Sequence, residues 1–140
     1  MKGAPELLVY REDSRSAELL RDGAAAGEGD VVQIKYVAAG RKFGAIVSID
    51  GRGAVTLHYP ETAGGSTQLE SGATAALHYA YQLDDAPGFE RFFFVTAPRQ
   101  FATSVVMDSA RRLARGAART GSLALPAGFE QASVLLTKGD

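Results

Sequence analysis

Phe43-Gly44-Ala45-Ile46-Val47-Ser48-Ile49-Asp50-Gly51-Arg52-Gly53-Ala54-Val55-Thr56-Leu57-His58-Tyr59-Pro60 is the stretch on which the fold turns. Phe43, Ala45, Val47 and Ile49 alternate with Ser48 and Asp50, a period of two that gives a strand one apolar face and one wetter face. Asp50-Gly51-Arg52-Gly53 is a tight-turn signal, because Asp-Gly supplies positive φ and Gly53 can take a second unusual conformation or a bulge. Beyond it Val55, Leu57 and Tyr59 alternate with Thr56 and His58 until Pro60 stops the strand. A hairpin from Lys42 to Pro60 with directly paired strands is expected. The turn lacks the repeated oxygen ligands of a calcium loop, with Arg52 where a further acid would serve, so backbone geometry accounts for it.

Working outward, Val32, Ile34, Tyr36 and Ala38 share a face opposite Gln33 and Lys35, which predicts a strand opening at Gly29-Asp30. Glu6 to Tyr10 reads as a first strand between Pro5 and Arg11-Glu12-Asp13. The segment from Glu12 to Asp30 holds six acidic and two basic residues and reads as a solvated connector carrying a short strand at Ala17 to Leu20. Downstream, Thr62 to Thr67 is a flexible loop, Thr67 to Glu70 a short edge strand, and Leu77, Tyr79, Tyr81 and Leu83 an alternating strand. Asp84-Asp85-Ala86-Pro87-Gly88 forms a turn. Phe92, Phe93 and Phe94 cannot all face one side, so the strand from Phe89 to Thr96 is apolar on both faces and central.

Near Phe101 the period changes. Val106, Ala110, Leu113 and Ala117 recur at spacings of three and four, predicting an amphipathic helix from Thr103 to Ala118 closed by Gly121. Ala132, Val134 and Leu136 give a last strand after the turn at Pro126 to Gly128. The expected fold is mainly β: an antiparallel β-sandwich or partly open barrel of about eight strands with one C-terminal amphipathic helix, as a single domain over residues 1–140.

The 140 residues suffice for one core without disulfide or metal. A formal charge of -1 provides no global field for phosphate backbones, and nucleic acid is not an expected partner. Absence of cysteine removes thiol nucleophiles and thiolate metal sites, and is compatible with either cytosol or periplasm. The start Met1-Lys2-Gly3-Ala4-Pro5 has no apolar run of signal-peptide type, and no stretch reaches bilayer-spanning length.

His58 and His78 are the only histidine bases, no Gly-x-Ser-x-Gly elbow presents a serine, and both read as ordinary residues of a polar strand face. With Asp84, Asp85 or Glu90 they could form a site of two histidines and one carboxylate, but no His-x-His or His-x-x-x-His spacing supports it. Gly116 to Ser122 lacks the lysine of a phosphate loop. Two groups remain as binding candidates. Asp84, Asp85 and Glu90 bracket the proline turn, where Asp85 is expected to cap and Glu90 to pair with Arg91 or Arg52; as a negative rim they would receive a basic partner. Arg111, Arg112, Arg115 and Arg119 make a basic helix face, by default solvated, that could meet an acidic partner.

Phe43 to Pro60, together with Gly29 to Tyr36 and Leu83 to Thr96, resembles an uncharacterised bacterial domain family, similar to the extracytoplasmic C-terminal domain of anti-sigma-factor-like membrane proteins. The resemblance covers about Lys2 to Phe101 and brings no catalytic residues with it. It implies a periplasmic or extracytoplasmic sensory module, tethered by a transmembrane helix outside this chain. The expected function is non-enzymatic binding of a protein or envelope component in bacterial signalling, with no cofactor, metal or catalytic residue. A small-ligand or metal-dependent enzyme using His58, His78 and the Asp84/Asp85/Glu90 turn is the alternative, and a purely structural spacer is a third reading.

Overall fold

The computed structural model describes residues 3–13 and 15–139; Met1 and Lys2, on which the leader reading partly rests, lie outside them. The strands are β1 (Glu6–Glu12), β2 (Ala17–Leu20), β3 (Ala24–Ala26), β4 (Val31–Val37), β5 (Phe43–Asp50), β6 (Val55–Tyr59), β7 (Ala75–Ala76), β8 (Tyr81–Gln82), β9 (Phe89–Ala97) and β10 (Glu130–Lys138). One helix, α1 (Thr103–Ala114), lies between β9 and β10. They form a β-sandwich with one helix, and the sheets do not close into a barrel. One sheet has the order β2-β1-β4-β7, with β8 also on β4; the other runs β3-β10-β9-β5-β6. Every pairing is antiparallel except the parallel β3–β10.

The molecule has three layers, because α1 covers the outer face of the second sheet. Between the sheets pack Val9, Val32, Ile34, Tyr36, Ile46 and Phe94, among others. Between the second sheet and α1 pack Val47, Ile49, Phe93, Val95, Val106 and Ala110. Strand β9 lies between β5 and β10 with Phe92, Phe93 and Phe94 all fully buried, as its two-sided apolarity requires. Removing each such ring from water contributes about 2–3 kcal/mol.

Burial of both faces overturns the expected wet side of β5. Val47 and Ile49 face α1, while Ser48 and Asp50 sit on the inter-sheet side at 0% and 5% exposure. The hairpin itself forms between β5 and β6, but Ile46 pairs with Tyr59 and Val47 with Leu57. His58 is thus the extra residue of a β-bulge, which re-aims side chains and puts Tyr59 against the inter-sheet core while Val55 and Leu57 pack toward α1. Positive φ falls on Gly53 (+84°) rather than Gly51. The Gly53 N–H donates to the Asp50 carbonyl at 2.9 Å, the pattern of a three-residue loop closed by a left-handed glycine.

Other boundaries also differ from expectation. Leu77 to Leu83 is not one strand: β7 and β8 each pair for two residues with β4, and an irregular segment separates them. Thr67 to Glu70 makes only an isolated bridge, Gln68 to Phe43. Ala24 to Ala26, read as connector, forms β3 against β10. The helix stops at Ala114 and the chain turns through Thr120. Ala117 is therefore exposed, Ala118 takes the core place, and Arg115 and Arg119 lie beyond the last helical residue.

Candidate functional site

The sequence candidates converge at the end of the sandwich where the β5–β6 turn meets the turn before β9. Gly51 lies so close to the second turn that a Cβ there would stand 1.6 Å from the Pro87 carbonyl oxygen. This close approach, more than backbone conformation, requires glycine. Arg52 donates to the Asp85 carboxylate at 2.7 Å and holds it below the usual carboxylate range. Asp84, not Asp85, caps the turn by accepting from the Ala86 N–H at 2.9 Å.

From β10, the Lys138 ammonium donates to the Asp84 carbonyl at 2.9 Å and stands 3.5 Å from its carboxylate, while the Lys138 N–H donates to the Gly88 carbonyl at 2.9 Å. Arg119 donates to the same carbonyl at 3.1 Å, its guanidinium over the Phe89 ring. Asp84, Asp85, Arg52 and Arg119 remain exposed. Arg111, Arg112 and Arg115 are also exposed; Arg111 pairs with Asp108 at 3.2 Å, and Arg111 and Arg112 occupy the last helical turn, where positive charge suits the helix dipole.

Glu90 does not make the expected pair with Arg91 or Arg52. Alternation along β9 turns Arg91 outward, onto the Ala118 and Gly121 carbonyls at 3.1 and 2.6 Å, and turns Glu90 inward at 1% exposure. The Tyr81 hydroxyl donates to Glu90 Oε2 at 3.3 Å, and Oε1 has no hydrogen-bond partner among the described residues. Burial, reinforced by Asp50 and Asp84, pushes the Glu90 carboxyl up to about 7, against the opposing pull of Ser48 and Lys138. Desolvation, helped by Glu90, likewise takes the Tyr81 phenol up to about 12.

Behind this cluster, His58 is 1% exposed, with Nε2 2.8 Å from Ser48 Oγ. Its ring meets Tyr81 edge-on at 4.5 Å and lies 5.5 Å from the Phe92 ring. Burial pushes its pKa down to about 4, so it is neutral near pH 7. Ser48, Asp50, Tyr81 and Lys138 were not singled out as site residues in the sequence. Placing Ser48 and Asp50 on one face of β5 did put them together, but assigned that face to water.

Two separate cavities divide the residues of the enzymatic alternative. His58 and His78 line a cleft of about 150 Å³ with Tyr36, Tyr59 and Tyr79, whose hydroxyl donates to the His58 carbonyl. Asp84 and Asp85 line a different cleft of about 360 Å³ with Glu28 and Gln82. A further cavity of about 870 Å³ lies at the other end of β5 beside Arg41 and Lys42. No helix among the described residues is long and apolar enough to cross a membrane. Comparison of the chain with protein families, with curated proteins and with solved structures returns no match.

Proposed function

We propose that the chain is a non-enzymatic binding module whose working surface is the end formed by the interlocked 50–53 and 84–88 turns. The observation that carries this reading is exposed charge of both signs on a backbone fixed from three directions. Asp84 is tied to β10 through Lys138, Asp85 to the hairpin through Arg52, and Arg119 to the acid turn through the Gly88 carbonyl. Charges held in place before contact lose little freedom on binding and select partners by complementary potential. The partner is a protein or envelope component, and the bacterial envelope-signalling setting rests on the resemblance carried by Phe43 to Pro60 and its companion stretches.

An enzymatic reading draws on the Ser48–His58 contact, which has the spacing of a nucleophile and its base. Three features favour binding instead. Ser48 is fully buried, His58 is too weak a base near pH 7, and His78 and the acid turn open on separate cavities. The test is a photo-reactive amino acid placed in the cell at Gln82, at Thr120 and, for comparison, at Lys42. Adducts of one mass from Gln82 and Thr120, lost when Asp84→Ala and Asp85→Ala are introduced, are expected. Equal labelling from Lys42, or adducts indifferent to the two substitutions, would refute the proposed surface.

A further inference from the structure

We propose that Asp50, Asp84 and Glu90 form a binding site for a divalent cation of the calcium class at the mouth of the inter-sheet layer. Each residue offers a carboxylate oxygen, and no two of these atoms are further apart than 4.8 Å. They reach one point from different elements: Asp50 from the end of β5, Asp84 from the turn and Glu90 from the start of β9. Two are buried and one is exposed, so the site has a dry floor and an entrance on the Asp84 side.

A second observation points to a ligand. Glu90 is 1% exposed, yet its Oε1 has no hydrogen-bond partner among the described residues, and a buried carboxylate oxygen without a partner is costly. The same carboxylate supplies an oxygen to the Asp50–Asp84 group. Lys138 is the cation already present, 3.5 Å from Asp84. With all three carboxylates ionised, they and the one ammonium carry a net charge of -2, which one divalent ion neutralises.

Donor chemistry selects the ion. The three donors are all carboxylate oxygens, which suit hard cations and do not favour zinc or copper over them. Calcium–oxygen bonds of about 2.3–2.6 Å allow two donors to stand about 4.6–5.2 Å apart across the ion, whereas magnesium at about 2.0–2.1 Å requires them within about 4.2 Å. Donors that all lie within 4.8 Å of one another come within the reach of calcium. Asp50 Oδ1 is fixed by the Arg52 and Ala54 N–H groups at 2.9 and 3.0 Å, and Asp84 Oδ1 by Ala86. The ion would thus join the hairpin turn, the acid turn and β9. This inference does not depend on the partner-binding reading.

The test is titration of the chelator-treated protein with calcium chloride at mildly alkaline pH, by calorimetry and thermal unfolding, with magnesium chloride in parallel. Saturable 1:1 heat and a rise in the unfolding midpoint are expected with calcium, and a weaker response with magnesium. Asp84→Asn and Glu90→Gln should each lower calcium affinity by more than about tenfold. Asp108→Asn, on the exposed helix face beside Arg111, should leave it unchanged. If Glu90→Gln does not fold, Asp84→Asn at an exposed position carries the test. Absence of saturable heat up to ten-millimolar calcium, an undiminished response in Asp84→Asn, or non-saturating and equal effects of both ions would overturn the site.

Discussion

Glu90 and His58, buried on either side of Tyr81, should titrate against each other as the protein folds. His58 shifts from its ordinary 6.5 down to about 4 on folding, and Glu90 from 4.5 up to about 7. Between these limits the unfolded chain carries a proton on His58 that the folded protein lacks, so this group makes stability rise with pH. The folded protein carries a proton on Glu90 that the unfolded chain lacks, so this group makes stability fall with pH. At about 1.4 kcal/mol per pH unit for a full proton, each term changes stability by about 2 kcal/mol between about pH 5 and pH 7.5, with opposite sign. The groups facing the pair are Ser48 and Asp50 from β5, Tyr81 from β8, Asp84 from the turn and Lys138 from β10.

The perturbation is therefore a pair of variants read by urea unfolding across this range in the presence of a chelator. The wild-type protein should show little net slope from these two groups. Glu90→Gln should expose the His58 term, its stability rising by about 2 kcal/mol toward pH 7.5. His58→Gln should expose the Glu90 term, its stability falling by about the same amount over the same range. Loss of the Tyr81 and Phe92 ring contacts lowers the overall stability of His58→Gln, so the slope is the readout. Equal slopes in wild type and Glu90→Gln would show that the two groups do not oppose each other, as would a Glu90→Gln variant less stable than wild type at pH 7.5.

Other outcomes follow from the packing. Phe93→Ala removes a fully buried ring from the layer beneath α1 and should cost about 3–5 kcal/mol in denaturant unfolding; a loss below about 1 kcal/mol would show that α1 does not seal this face. Gly51→Ala drives a Cβ into the Pro87 carbonyl and should clearly lower the unfolding midpoint, whereas Gly116→Ala, with open space around its Cβ, should change stability by less than about 0.5 kcal/mol. Similar midpoints for the two would refute the interlock of the turns. Asp84→Ala with Asp85→Ala should abolish partner capture while circular dichroism stays native; intact capture with a lowered midpoint would leave the acid turn a structural role only.

Much of this architecture was legible along the chain because strand alternation is a local property. Val32 to Ala38 and Phe43 to Ile49 show it, and three adjacent phenylalanines can be buried only in a strand covered on both sides. The start of α1 was legible for the same reason. Its end was misplaced: Gly116 follows the C-cap Arg115, whereas apolar spacing carried the pattern on to Gly121, and core burial passes to Ala118 only when the chain turns there. The strand predicted over Leu77 to Leu83 failed because alternation specifies which faces a strand would have, while β4 pairs only with Ala75–Ala76, just before that stretch, and with Tyr81–Gln82 near its end.

At the candidate site, local patterning told which polar residues share a face and that the acid turn precedes a central strand. It expected Glu90 at the surface with an arginine, and assigned the face carrying Ser48 and Asp50 to water. That face is dry in the fold because the sheet of β1, β4 and β8 lies over it. The bulge that brings Tyr59 onto the same side as His58 comes from β5–β6 register, and Lys138 reaches Asp84 because β10 runs beside β9. Periodicity fixes the relative direction of neighbouring side chains. Solvent access and the meeting of Asp50, Asp84, Glu90 and Lys138 depend on contacts between residues distant in sequence, which local alternation does not specify.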